Sequence, residues 1–220
     1  MRKLTLFTII LVIVVVIAII VFLLVQRSIR KKTKAENRKL YQDLRPSENI
    51  KKFIKCYERN GRIGTPAFEI FTNPDGDYEV GWGHDFSANG EKVTNEMLKK
   101  TYTLSELNEL FEKDLQKAHK RGLLHFENIY MTQEMYDALI SYLFNTKYPK
   151  NVTKLLKSGA DYNTIAEEWI NGWTLSASGG NYFRRLAERD IFLTGDYVVY
   201  KQKLKGSPEY TRISISEVKY

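Results

Sequence analysis

From Leu4 to Val25 the chain is apolar apart from Thr5 and Thr8 and carries no charge. A helix of that length spans the roughly 30 Å hydrocarbon core of a bilayer. A run that is apolar on every face suits lipid better than the surface of a soluble domain, where a helix keeps one polar side. A cleaved signal peptide is the competing reading. Its apolar core is shorter and ends in small residues, whereas this run ends Phe22, Leu23, Leu24, Val25, Gln26. The sequence therefore divides into an anchor (1–26), a basic juxtamembrane stalk (27–45) and a soluble remainder.

Charge supports the division. The 220 residues hold 34 Lys or Arg and 26 Asp or Glu, a formal net charge of +8. Ten of the basic and two of the acidic residues fall in 1–45, which leaves 24 of each sign in 46–220. The excess flanks the apolar run, where it can meet anionic headgroups. The remainder has no basic surplus of the kind a phosphate backbone demands, so nucleic acid is not an expected partner. Cys56 is the single cysteine, which excludes an intrachain disulfide. A lone thiol of this kind is expected in the core.

Beyond Pro46, Ser47 is placed to cap a helix through Ile50, Phe53, Ile54 and Tyr57 that ends near Gly61. Residues 61–88 change character. Glycines and prolines punctuate β-prone runs at Phe68–Thr72 and Asp77–Trp82, with a turn at Asn73-Pro74-Asp75-Gly76, which predicts a hairpin or a small three-stranded sheet. From about residue 93 the spacing is helical again. Thr103 and Glu106 form a candidate capping box, and Thr132 and Met135 start a further helix. The expected fold class is α+β, with a small β lobe inserted after the first helix of a larger helical lobe. This domain covers 46–195, and 196–220 form an extension that is a hairpin or a loose tail.

A carboxylate, Glu58, at the end of a helix and beside a β-hairpin is what glycosidic cleavage asks for. One acid protonates the leaving oxygen, and a second group works from the opposite sugar face. The apolar neighbours of Glu58 in sequence would raise its pKa for acid duty. Glu58, then Asn73-Pro74-Asp75-Gly76, then Val80-Gly81-Trp82-Gly83-His84, resembles the active-site stretch of phage-type lysozymes, glycoside hydrolase family 24, which reads E-G and then D-x-x-G-x-x-T-I-G-x-G-H. Thr103–Leu115, Met131–Asn145 and Gly180–Phe192 are similar to three further blocks of that family in the same order. The resemblance implies a two-lobed lysozyme fold and a muramidase. Its target is the glycan strand of peptidoglycan, cut between N-acetylmuramic acid and N-acetylglucosamine, with no cofactor and no metal.

The departures decide the second catalytic group. Asn73 stands at the family's aspartate position and cannot ionise, Glu79 stands at its threonine position, Arg59 replaces the glycine after the catalytic Glu, and Lys147 replaces a later glycine. Glu79 is therefore the candidate second carboxylate. It acts either as base on a water, with inversion, or as nucleophile, with retention, and its length favours retention. His84 is a candidate substrate-binding residue, and it reads as structural, orienting a lobe by a hydrogen bond, more readily than as a proton shuttle. Trp82 has the best claim among the tryptophans to the cleft. Gln133 and Asn145 are either donors to N-acetyl groups or satisfied helix-end polars. Arg184 and Arg185 resemble the family's paired arginines and read as structural or cleft-edge charges.

Two rival readings remain: a catalytically silent peptidoglycan-binding domain, motivated by the missing aspartate, and a lytic transglycosylase, which needs a single acid. Orientation pulls two ways. Arg27, Arg30, Lys31, Lys32, Lys34, Arg38 and Lys39 after the apolar run would hold the C-terminal side in the cytoplasm. The substrate lies outside, and access to it is taken as the stronger constraint. Protein partners, and a role in phage lysis or in a secretion or conjugation machine, are not legible.

Overall fold

A computed structural model describes residues 11–23, 37–58, 64–146, 149–173, 180–203 and 209–218. The chain divides into two compact units between Lys39 and Leu40. In the first, residues 11–23 are helical, and their large apolar side chains are about half exposed, from 47% at Val16 to 61% at Phe22. Residues 4–10 and 24–25 of the apolar run lie outside the described residues, and among those described no helix is long and apolar enough to cross a membrane.

The second unit is built around α1, Glu48–Tyr57. The Ser47 hydroxyl accepts from the Ile50 N–H at 3.2 Å, and Ile50, Phe53, Ile54 and Cys56 turn one helical face into the core. The helix stops at Tyr57, earlier than Gly61, because Glu58 has left helical geometry at ψ 74° and cannot continue the ladder. Three antiparallel strands follow in the order β1 (Ala67–Thr72), β2 (Tyr78–Gly81), β3 (His84–Asp85). The register sets Phe71 opposite Glu79 and Val80 opposite His84. The turn between β1 and β2 lies where the sequence puts it. The Asn73 side-chain oxygen accepts from the N–H groups of Asp75 and Asp77, both at 2.9 Å, and Gly76 takes φ +92°.

A long helix, α2 (Leu104–Phe126), starts from the expected capping box of Thr103 and Glu106. It packs on α3 (Gln133–Asn145), capped by Thr132 and buried on most of its surface. Helices α4 (Lys150–Ser158), α5 (Tyr162–Ile170) and α6 (Gly180–Thr194) complete the helical part, with α6 packed against α3 and α5.

The packed unit extends past both boundaries read from the sequence. Tyr41 is fully buried and Leu44 nearly so, inside the segment expected to be stalk. The Tyr41 hydroxyl reaches the His119 carbonyl at 3.2 Å over Gly122, where any Cβ would collide with it at 1.8 Å. At the other end, the described residues of 196–220 take the hairpin alternative. Val198–Gln202 (β4) and Tyr210–Ser214 (β5) form an antiparallel hairpin, with Val198, Val199 and Tyr200 buried against α6 and α1.

Candidate active site

Glu58 caps the C-terminus of α1, and its side chain is 16% exposed. One carboxylate oxygen pairs with Arg184 Nη1. The other lies where Gly83, at φ +78°, has no side chain. A Cβ there would sit 3.1 Å from Glu58 Oε2. The neighbour that the fold gives Glu58 is thus a guanidinium and a bare backbone, not the apolar pocket suggested by its sequence neighbours.

Arg184 and Arg185 are both buried, which places them beneath the cleft and not at its edge. Arg184 is held rigidly. Its Nε donates to Glu188 Oε1 at 3.2 Å, and its Nη2 donates to the Ser141 carbonyl at 3.1 Å. Glu188, fully buried, also accepts from Ser141 and from Trp169 Nε1 and pairs with Arg185 at 3.0 Å. Burial opposes the charge of Arg184, but Glu58 and Glu188 outweigh it and hold the guanidinium above its ordinary pKa. Arg185 goes the other way. Burial lowers it to about 10, with Glu188 only partly compensating. Two carboxylates face two guanidiniums here, so a buried cluster that would be costly half-made is electrically closed.

Glu79 projects from β2 into different surroundings. It is partly buried, and its Oε1 accepts from Asn73 Nδ2 at 2.6 Å. Burial raises its pKa. The Asn73 hydrogen bond lowers it, and the charges of Asp85, Glu58 and Asp77 raise it again. Glu58 is thus one of three carboxylates whose charge is felt at Glu79. Asn73 spends its oxygen on the turn and its amide on Glu79, so it steadies Glu79.

The remaining site residues divide. Asn145 lines a cavity of about 550 Å³ together with Glu58, and its oxygen accepts from Arg185 at 3.1 Å. Gln133 is not brought there. At the opposite end of α3 it donates to the Arg45 carbonyl and to Asp137, at 2.8 and 2.9 Å. Trp82 is a core residue: its Nε1 donates to the Gly64 carbonyl at 2.8 Å, and Lys55 lies 3.9 Å above its ring. It lines a second cavity, on the Lys51 and Lys55 side of α1, and not the one at Glu58. His84 is buried. Its Nδ1 lies 2.8 Å from Asp114 of α2, and although burial works against its charge, Asp114 and Glu91 together outweigh this and raise its pKa. That bond ties β3 to α2.

The contact between Arg184 and Glu58 was not legible, but part of the cluster beneath it was. Arg184 and Arg185 stand four and three residues before Glu188, the spacing of helical ion pairs. Gln133, Asp137, Ser141 and Asn145 form a polar stripe with a period of four along a helix whose other residues, Glu134 apart, are apolar or aromatic, and each has a partner elsewhere in the unit.

Comparison with known proteins places this architecture. The phage lysozyme family matches residues 67–190. Solved structures with the same fold include the muramidase domain of SpmX from Asticaccaulis excentricus, 22% identical with a TM-score of 0.52, covering 69% of this chain and 99% of that one. A mutant of P22 lysozyme is 22% identical with a TM-score of 0.55 over 69% and 99% of the two chains. The endolysin of Escherichia coli O157:H7 phage FAHEc1 is 21% identical with a TM-score of 0.53 over 69% and 95%. No curated protein matches.

Proposed function

This chain belongs to the phage lysozyme family, the peptidoglycan-hydrolysing glycoside hydrolases, and on that premise we propose that it is a muramidase in which Glu58 is the general acid and Glu79 the second carboxylate. The observation that carries the reading is the setting of Glu58. One of its oxygens is pinned by a buried guanidinium, and the other faces a glycine that lets a substrate chain approach. In the proposed reaction Glu58 first takes up a proton from solvent, against its pairing with Arg184, and gives it to the glycosidic oxygen as the bond from the N-acetylmuramic acid C1 breaks. The Glu79 carboxylate forms a bond to that carbon from the other face. Water then releases the sugar with Glu58 as base, and the configuration is retained. A pKa raised by burial and by neighbouring carboxylates brings Glu79 closer to neutrality, where a base or nucleophile is best matched to its task.

Zymography on cell-wall substrate tests the acid. Glu58→Gln keeps the shape but cannot donate the proton, and activity is expected to fall by about 10²–10⁴ with the fold intact. A folded variant as active as wild type removes Glu58 from the mechanism. Released anhydro sugars would make the protein a lytic transglycosylase, and binding without release a silent wall-binding domain.

We place the protein in the cytoplasmic membrane through residues 4–25, with the catalytic domain outside, where its substrate lies. The uncharged run and the exposed apolar side chains of 11–23 support the anchor. Full-length protein is expected to stay with membranes through alkaline carbonate extraction, and release into the supernatant would refute the anchor.

A further inference from the structure

The cavity at Glu58 has a wall that the family match does not contain. The match covers residues 67–190, so it leaves out Glu58 at one end and, at the other, Val199, Tyr200 and Lys201 of β4, which line the cavity together with Glu58, Asn145 and Asn181. This wall is built in. The hydroxyl of Tyr57, the residue before Glu58, accepts from the Tyr200 N–H at 2.9 Å and donates to the Phe183 carbonyl at 3.4 Å. The Tyr200 ring packs on Tyr210 at 4.8 Å, and its hydroxyl donates to Asp190. A strand fixed by Val198, Val199 and Tyr200 carries its next residue, Lys201, to the exposed rim of the cavity.

Charge gives this wall a chemistry. Glu58 is already paired with Arg184, and Asn145 and Asn181 are neutral amides. Lys201 forms no ion pair among the described residues, and neither of the adjacent segments outside them, 174–179 and 204–208, contains an acidic residue. Among the described residues lining the cavity, Arg184 is paired with Glu58, and Lys201 is the cation left to meet whatever enters. A peptidoglycan strand carries its anions on the peptide branches of alternate sugars. We propose that the C-terminal hairpin adds a subsite to the lysozyme cleft in which Lys201 takes a carboxylate of such a peptide branch. This rests on the cavity at Glu58 being the glycan-cleaving site.

Two substrates separate this from a general effect of charge: glycan strands bearing their peptides, and the same strands stripped of peptide by an amidase. On the first, Lys201→Ala is expected to raise KM about two- to five-fold with kcat unchanged, the size of one partly exposed charge pair. Lys201→Glu raises KM further, and Lys201→Arg stays near wild type. On stripped strands all three match wild type. Equal KM values on peptide-bearing glycan, or equal changes on both substrates, overturn the subsite. The same series, read as pull-down of each glycan on a Glu58→Gln background, reports binding alone. If Glu58→Gln still hydrolyses the wall, the acid assignment falls, while the ranking of the Lys201 variants still decides the subsite.

Discussion

Glu58 and Glu79, the two carboxylates of the proposed reaction, are held in opposite ways. Glu58 is gripped from below. Its partner Arg184 is buried, anchored on α3 through Ser141 and on α6 through Glu188, and has no room to turn. Glu79 rides on a short hairpin, half open to water, and is steadied by one neutral amide from a turn residue. In the proposed reaction the helical side sets where a proton is delivered. The hairpin side sets how strongly Glu79 holds a proton, through burial and like charge. In this arrangement position comes from a packed cluster and proton affinity from an open one.

The comparison breaks most visibly if the packed cluster is not what holds Glu58. Glu188→Ala leaves Arg184 and Arg185 buried with only Glu58 between them, and a stability loss of about 3–5 kcal/mol is expected in denaturant unfolding. A variant as stable as wild type would mean that the guanidiniums are compensated elsewhere.

A smaller effect is expected on the hairpin side. Glu79→Gln should lower activity by about 10²-fold without touching stability. Activity within a few-fold of wild type ends its role as second carboxylate. NMR of the first-formed reducing end then separates retention from inversion, since an α product excludes Glu79 as nucleophile.

The smallest effect is a shift in pH dependence. Glu79 works ionised, so activity falls as pH drops through its pKa, and its raised pKa puts that limb higher than an ordinary glutamate would. The Asn73 hydrogen bond is the influence that pulls the pKa down, so Asn73→Ala should move the limb to still higher pH. A limb that stays put, or moves down, contradicts the assignment.

What the sequence made legible follows range. The Ser47 cap, the turn around Asn73 and the Thr103 capping box are local devices, written within a few residues of where they act. The four blocks in order carried the lysozyme fold. Contacts between distant segments were not written anywhere. Glu58 and Arg184 are 126 residues apart, and no pattern in either neighbourhood names the other. Tyr41 sits in a stretch whose composition is that of a solvated stalk, and only the missing side chain of Gly122 makes its burial possible. Trp82 was drawn to the cleft by its place between two motif glycines. Alternation along β2 and the loop beyond turns it the other way, onto Phe111 and under Lys55.

The hydrogen bond from Tyr200 to Tyr57 has a consequence in time. Chains emerge from the ribosome amino end first, so α1 and Glu58 exist well before the strand that braces them. A nascent chain halted before residue 198 has its acid but neither the Tyr57 clamp nor the Lys201 rim. Assembly of the cleft thus waits on translation of the hairpin, and a partly synthesised copy of a wall-cutting enzyme is born with its blade unfinished.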